Sequence, residues 1–183
     1  FIHAARRNHN ITVLLHDNSL YSLTAGQTSP TTGRGVKTKS TPAGNPDDPV
    51  YPLALAITAG ATFVARAYSG DIEKLSELII EANKHKGFSF IDILQPCVTL
   101  NKVCTHAFFR DNIYYLGEDY DCTDKQKALI KACEFSEKHI PLCFLKKKKK
   151  STAESQFPQI AEKSLIDRQF NLNALDELFK KYV

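Results

Sequence analysis

The apolar run ITVLL (Ile11–Leu15) leads directly into HDNSLYSLTAGQTSPTT (His16–Thr32), and the change at that junction decides the fold. The first piece is β-branched and lacks polar alternation, the pattern of a strand buried on both faces in a parallel sheet. The second is polar at once. Asp17 and Asn18 stand where the strand should end, and residues 19 to 50 show no helical or strand period. That stretch holds Gly26, Gly33, Gly35, Pro42, Gly44, Pro46 and Pro49. A loop this long inside a compact domain is usually functional or disordered.

Further elements follow on both sides. Upstream, FIHAARRNHN reads as the end of a helix, with Arg6 and Arg7 at the terminus where cations suit the dipole. It is neither a signal nor a transit peptide. A helix seldom opens a protein without a cap, so an N-terminal part is predicted to be missing. Downstream, residues 51–60 form a short helix and ATFVARAY (Ala61–Tyr68) a strand. Asp71 caps a helix whose core positions are Leu75, Leu78, Ile79 and Ala82. Gly87 ends it, and FSFIDIL (Phe88–Leu94) is a third strand. This order predicts an α/β fold, a mainly parallel sheet with flanking helices.

After about Thr99 the character changes. A helix is expected from Asp124 to about Lys138, with Leu129, Ile130, Cys133 and Phe135 as partial core. A strand is expected at Ile140–Leu145, loop with a short helix at Ser151–Glu162, and a last helix at Asn173–Tyr182. The tail, residues 99–183, reads as an extension docked on the sheet of a first domain, residues 1–98.

The chain has 183 residues, 43% hydrophobic and 24% charged, ordinary values for a folded domain. No apolar run approaches the ~20 residues that cross a bilayer, so no membrane partner is expected. The net charge is +4, but Lys146–Lys150 supplies five positive charges in one run. The remainder is close to neutral, and no aromatics interleave the lysines, so no nucleic-acid partner is expected. The run itself reads as a solvated hairpin or loop. Five cysteines without a CxxC pair do not make a disulfide framework, and they point to a reducing cytoplasm.

Ligands of open α/β sheets bind beyond the carboxyl ends of the strands, where Asp17 and Asn18 stand. An asparagine oxygen suits Mg²⁺, which commonly bridges to diphosphate. Thr24, Gly26, Gln27, Thr28 and Ser29 offer hydroxyl, amide or close backbone contacts to phosphate. Asp-Asn after a strand is equally ordinary turn chemistry. Arg66 is either half of a buried pair or a substrate clamp. A lone Cys97 is more often a small hydrophobe than a ligand. The scattered histidines make no zinc spacing.

The run DNSLYSLTAGQTSPTT, with RRNHNITVLLHDN before it, resembles the cofactor loop of β subunits in the 2-oxoacid:ferredoxin oxidoreductases. GATFVAR (Gly60–Arg66), HKGFSFIDILQPCVTLN (His85–Asn101) and the tail through Tyr114 are similar to the same family, in order. The resemblance implies a thiamine-diphosphate-binding fold. Asn18 and the backbone carbonyl of Leu20 would hold Mg²⁺ with the Asp of a GDG motif that precedes Phe1. Asp17, Thr24, Gly26 and Gln27 would line the cofactor site, and Leu23 the substrate pocket. Ala25 stands where some relatives carry Lys. Cys97 would be one ligand of a [4Fe–4S] cluster, its other ligands lying upstream.

The implied reaction is oxidative decarboxylation of a 2-oxoacid to acyl-coenzyme A, with electrons passed to ferredoxin, in anaerobic metabolism. The implied partners are an α subunit, with γ and δ subunits in some arrangements, together with ferredoxin, 2-oxoacid and coenzyme A. Alone, the chain is expected to be inactive. Two rivals remain: a cluster-free thiamine-diphosphate decarboxylase or synthase, and a non-catalytic α/β module docking on a partner.

Overall fold

The computed structural model describes residues 1–117, 119–136, 139–157, 165–167 and 172–182. Strand β1 (Thr12–Asp17) follows helix α1 (Ile2–Arg7). Two short strands, β2 (Leu20–Tyr21) and β3 (Gln27–Thr28), lie in the long loop. Helix α2 (Pro52–Ala59), strand β4 (Phe63–Tyr68), helix α3 (Ile72–Lys84) and strand β5 (Ser89–Leu94) complete the α/β part. The tail adds α4 (His106–Asn112), β6 (Ile113–Tyr115), α5 (Lys125–Cys133), β7 (Ile140–Lys147) and α6 (Leu172–Tyr182).

The main sheet has the order β1-β5-β4-β7-β6. β1, β5 and β4 run parallel, β7 runs antiparallel to β4, and β6 runs parallel to β7. A mainly parallel α/β sheet is therefore what forms, and the tail extends it by two strands. β6 and α4 go beyond the sequence reading, because IYY and HAFFRDN are too short for periodicity to show.

Two apolar layers flank the sheet. Leu53, Ala56, Ile57, Ala128 and Ala132 from α2 and α5 pack with Val64 and Phe90 on one face. Leu78 and Ala82 of α3 pack with Phe63, Ala65, Ile91 and Ile93 on the other. β4 and β5 form as expected and are buried at every position, Arg66 and Asp92 included, as inner strands of a covered parallel sheet are. β1 is not. It occupies the sheet edge with β5 as its neighbour, and Leu14 stays exposed.

Asp71 accepts from the Lys74 amide and caps α3 as expected. Of the expected partial core around α5, Leu129 and Phe135 do pack against the core, and Ile130 and Cys133 are corrected. Ala128 and Ala132 are buried, whereas Ile130 and Cys133 are exposed. Small residues let this helix approach α2 closely, so its buried face is not its most apolar one. α5 ends at Cys133; its expected extension reaches positions 137–138, which lie outside the described residues, as do positions 158–164 of the tail. In α6, Leu175, Leu178 and Phe179 are exposed.

The lysine run is also corrected. β7 continues through Lys147, and Lys146 is buried with its ammonium donating to the Thr123 carbonyl. The register of β7 on β4 shifts between Phe144 and Lys146, so Leu145 and Lys146 are both buried, while Lys148–Lys150 reach solvent.

Candidate functional site

The loop after β1 is ordered by its own side chains. The Asn18 amide oxygen accepts from the Leu20 N–H at 2.9 Å, and its Nδ2 donates to Ser22 Oγ at 2.9 Å. Asp17 Oδ1 accepts from the Ser19 N–H at 2.8 Å and from Thr31 Oγ1 at 2.6 Å. Thr32 donates to the Ser19 carbonyl at 2.6 Å, and Asn45 to the Thr32 carbonyl at 2.8 Å. These short polar side chains replace a hydrophobic core for the loop, as Asx and Ser/Thr turns do.

β2 and β3 pair antiparallel and close a small hairpin over residues 22–26. Ala25 and Gly26 both take positive φ, 77° and 94°, and the Gly26 N–H donates back to the Tyr21 carbonyl at 2.9 Å. Leu23 at the tip is fully exposed, and Thr24 bonds to Gln27 across the hairpin. Leu20, Leu23, Thr24, Gly26 and Gln27 thus sit together on one hairpin directly after Asn18.

Cys97 lies just beyond β5, the strand paired with β1. The Ser22 hydroxyl beside it, helped by nearby backbone amides, holds its thiol below the usual cysteine range. Ser22 thereby bridges Asn18 and Cys97, a link with no sequence spacing to announce it. Asn101 completes the corner by donating to the Asn18 carbonyl at 2.9 Å. Burial instead pushes the Cys104 thiol up. Cys97 should therefore be alkylated faster than Cys104 by iodoacetamide at pH 7.5, and Ser22→Ala should slow Cys97 about two- to fivefold. Peptide mass spectrometry over time checks both; equal rates for the two thiols would contradict it.

Behind the loop is a cavity of about 390 Å³ whose wall includes Asp17, Thr31, Tyr51, Arg66, Asp92 and Phe135. Arg66 and Asp92 face each other in register on β4 and β5, each 2% exposed. Their closest ionic contact is 3.7 Å, too long for a hydrogen bond. Arg66 donates to the carbonyls of Ala132 at 2.9 Å and Glu134 at 3.0 Å, and lies over the Phe135 ring. Of the two alternatives for Arg66, the structure shows the buried pair. Burial pushes the Asp92 carboxyl up to about 7; Arg66 opposes that shift and Asp17 adds to it. The Arg66 Nε and Asp92 Oδ1 atoms have no hydrogen-bond partner among the described residues. Sequence reasoning did not single out Asp92. A charged residue in the middle of FSFIDIL, level with an arginine in ATFVARAY, was the available signal.

Comparison with known proteins shows the family. Residues 1–93 match the family "Thiamine pyrophosphate enzyme, C-terminal TPP binding domain". Residues 97–162 match the family of the C-terminal region of the pyruvate ferredoxin oxidoreductase beta subunit. The chain belongs to the β-subunit family of the 2-oxoacid:ferredoxin oxidoreductases.

Among its relatives in this oxidoreductase family, the 2-oxoacid:ferredoxin oxidoreductase subunit beta of Saccharolobus solfataricus is 42% identical over 175 residues, 90% of this chain and 56% of that protein. Subunit beta of 2-oxoacid:ferredoxin oxidoreductase 1 from Aeropyrum pernix is 45% identical over 152 residues, 78% of this chain and 48% of that one. A solved 2-oxoglutarate:ferredoxin oxidoreductase from Magnetococcus marinus, with 2-oxoglutarate, coenzyme A and succinyl-CoA bound, superposes with a TM-score of 0.86 at 35% identity. That match covers 97% of this chain and 60% of the solved one. The chain spans about half the length of the curated relatives it matches.

Among the described residues no group of three or more His, Cys, Asp and Glu side chains could hold a metal. No described helix is long and apolar enough to cross a membrane. Within the oxidoreductase fold, Asn18 and the hairpin stand at the carboxyl end of β1, where open α/β sheets take their ligands.

Proposed function

We propose that this chain carries one half of the Mg²⁺–diphosphate site of a thiamine-diphosphate-dependent 2-oxoacid:ferredoxin oxidoreductase, acting in the cytoplasm in anaerobic metabolism. The observation that carries the reading is the corner of Asn18, Ser22 and Cys97 at the carboxyl ends of β1 and β5. Asn18 Oδ1 uses one lone pair on the Leu20 N–H and keeps a second for a cation. A neutral amide oxygen with the Leu20 carbonyl is a sparse, hard donor set. It suits Mg²⁺ that takes its remaining ligands from diphosphate, water and one further carboxylate.

Asp17, Thr24, Gly26 and Gln27 form the rest of the cofactor site. Asp17 serves it from beneath, because its carboxylate is engaged by Ser19 and Thr31 and so fixes the turn that presents Asn18. Gly26 supplies the positive φ that closes the hairpin, a conformation a side chain there would strain. Leu23, bare at the hairpin tip, shapes the substrate pocket. Cys97, with its thiol held low, is suited to ligate one iron of a [4Fe–4S] cluster whose other ligands come from other residues of the whole subunit.

When bound, the thiamine cofactor supplies the electron sink for decarboxylation, and the protein's task is to bind and orient it. The acyl group would pass to coenzyme A and the electrons to ferredoxin, in a complex with an α subunit and, in some arrangements, γ and δ subunits. Ala25, at φ 77°, brings no charge to the hairpin where some relatives bring a lysine.

Calorimetry with thiamine diphosphate and Mg²⁺ on the full-length subunit tests the reading. Asn18→Ala should weaken cofactor affinity on the order of 10- to 100-fold. Unchanged affinity would remove Asn18 as a ligand and with it the proposal.

A further inference from the structure

The lysine run does something that the cofactor reading leaves unused. At the amino-terminal end of the sheet, Lys84 and Lys86 from the end of α3 and the turn after it meet Lys147, Lys149 and Lys150 from β7 and its exit. They line an open groove of about 610 Å³. β5 separates this groove from Cys97, so the two ends of the sheet lie roughly 20 Å apart at about 3.3 Å per residue.

Charge in the groove is unbalanced. Glu81 is its carboxylate, and it is shared by Lys147 at 3.3 Å and Lys84 at 3.4 Å. Lys86, Lys149 and Lys150 make no ion pair among the described residues. Lys147 is held in place, its ammonium lying over the Phe63 and Phe144 rings. The backbone at Lys148 donates to the Thr62 carbonyl at 2.8 Å, and the carbonyls of Lys150 and Ser151 are gripped by Asn8. The chain that carries Lys149 and Lys150 is therefore pinned on both sides, and its ammonium groups line the groove rather than spread over a free tail. Burial, and after it the neighbouring Lys147 charge, hold the His85 imidazole down at the groove's wall. A concave wall of one sign focuses potential and concentrates multivalent counter-ions.

We propose that this groove, made by Lys84, Lys86, Lys147, Lys149 and Lys150, is a binding site for a polyphosphate-bearing small molecule, separate from the cofactor loop. Three unpaired ammonium groups across a concave face match two or three adjacent phosphate groups. A single carboxylate would leave most of that charge unanswered. Lysine acts as a point charge toward phosphate, so the site selects charge and spacing before it selects a particular compound.

The experiment is calorimetric titration of the full chain with sodium tripolyphosphate at about 50 mM and about 300 mM salt, either side of physiological ionic strength. Three variants accompany it: Lys86→Ala/Lys149→Ala/Lys150→Ala, the control Lys125→Ala/Lys127→Ala/Lys181→Ala with equal loss of charge elsewhere, and the charge reversal Lys149→Glu. Binding should weaken at high salt and fall about tenfold or more in the groove variant, since each exposed charge contact is worth a few-fold in affinity. The control should bind as the parent does, and Lys149→Glu, which reverses a charge in the groove, should bind more weakly than the parent. Three outcomes overturn the proposal: no binding of tripolyphosphate at the lower salt, equal losses in the groove and control variants, or tighter binding of a poly-glutamate peptide than of tripolyphosphate. The last would assign the face to an acidic protein instead. Circular dichroism of each variant separates loss of the site from loss of fold.

Discussion

Arg66→Ala is expected to destabilise the chain by about 3–5 kcal/mol at neutral pH, because removing one partner of a buried pair leaves the other charge uncompensated. The guanidinium is 2% exposed, faces Asp92 on the adjacent strand, and satisfies the carbonyls of Ala132 and Glu134. It therefore joins β4 and β5 to the end of α5, which belongs to the second of the two matched segments. Alanine would orphan two carbonyls as well as the carboxylate.

The loss should depend on pH. Asp92 is pushed up from 3.8 to about 7, chiefly by burial, so the folded state holds its proton more tightly than the unfolded state does. Its contribution is fully present below about pH 4 and is lost as pH rises through about 7. Without Arg66 the one strong influence opposing that shift is gone, and the cost of ionising Asp92 grows. Urea denaturation should thus show a larger gap between parent and Arg66→Ala at pH 8 than at pH 5. In an Asp92→Asn background that pH dependence should shrink. A gap of equal size at both pH values would show that Asp92 does not titrate in this range.

Asn8→Ala should cost a comparable 3–5 kcal/mol or so, assembled from several buried polar groups at about 1–3 kcal/mol each when left unmade. Asn8 is fully buried and sits at φ 56°, ending α1 in the left-handed region that asparagine tolerates better than alanine. Its side-chain oxygen accepts from Thr62 Oγ1 at 2.7 Å and the Phe88 N–H at 2.9 Å. Its Nδ2 donates to the carbonyls of Lys150 at 3.2 Å and Ser151 at 3.1 Å. One amide thus ties α1, the start of β4, the start of β5 and the exit of β7. Asn8→Gly relieves the backbone strain but none of the lost bonds, so it should recover only about 1 kcal/mol. Urea midpoints for the three proteins decide this, and a variant within about 0.5 kcal/mol of the parent would refute the hub.

Much of the candidate site is legible in the chain because it is local. Asn18, Leu20, Leu23, Thr24, Gly26 and Gln27 lie within ten residues, and the hairpin that gathers them needs only β2, β3 and a glycine at positive φ. Other parts of the fold are harder to read. Around α5, Leu129 and Phe135 pack as expected, but two alanines rather than the larger Ile130 complete the core against α2. Composition alone makes the lysine run a solvated loop, since it does not show that β7 continues into the run with a register shift, burying one lysine and pairing another with Glu81.

By itself the sequence determined the local material: two largely apolar strands each carrying one charged residue, a capped amphipathic helix, and a polar glycine-rich loop opening on Asp17 and Asn18. These follow from backbone propensity and side-chain period, which act over a few residues. Only the tertiary structure decided that Ser22 would stand between Asn18 and Cys97, that Arg66 would meet Asp92 in register, and that lysines from α3 and from β7, far apart in the chain, would share one groove. Those meetings depend on strand order and on which face each strand turns inward. They are settled by burial of the whole sheet, not by any stretch within it.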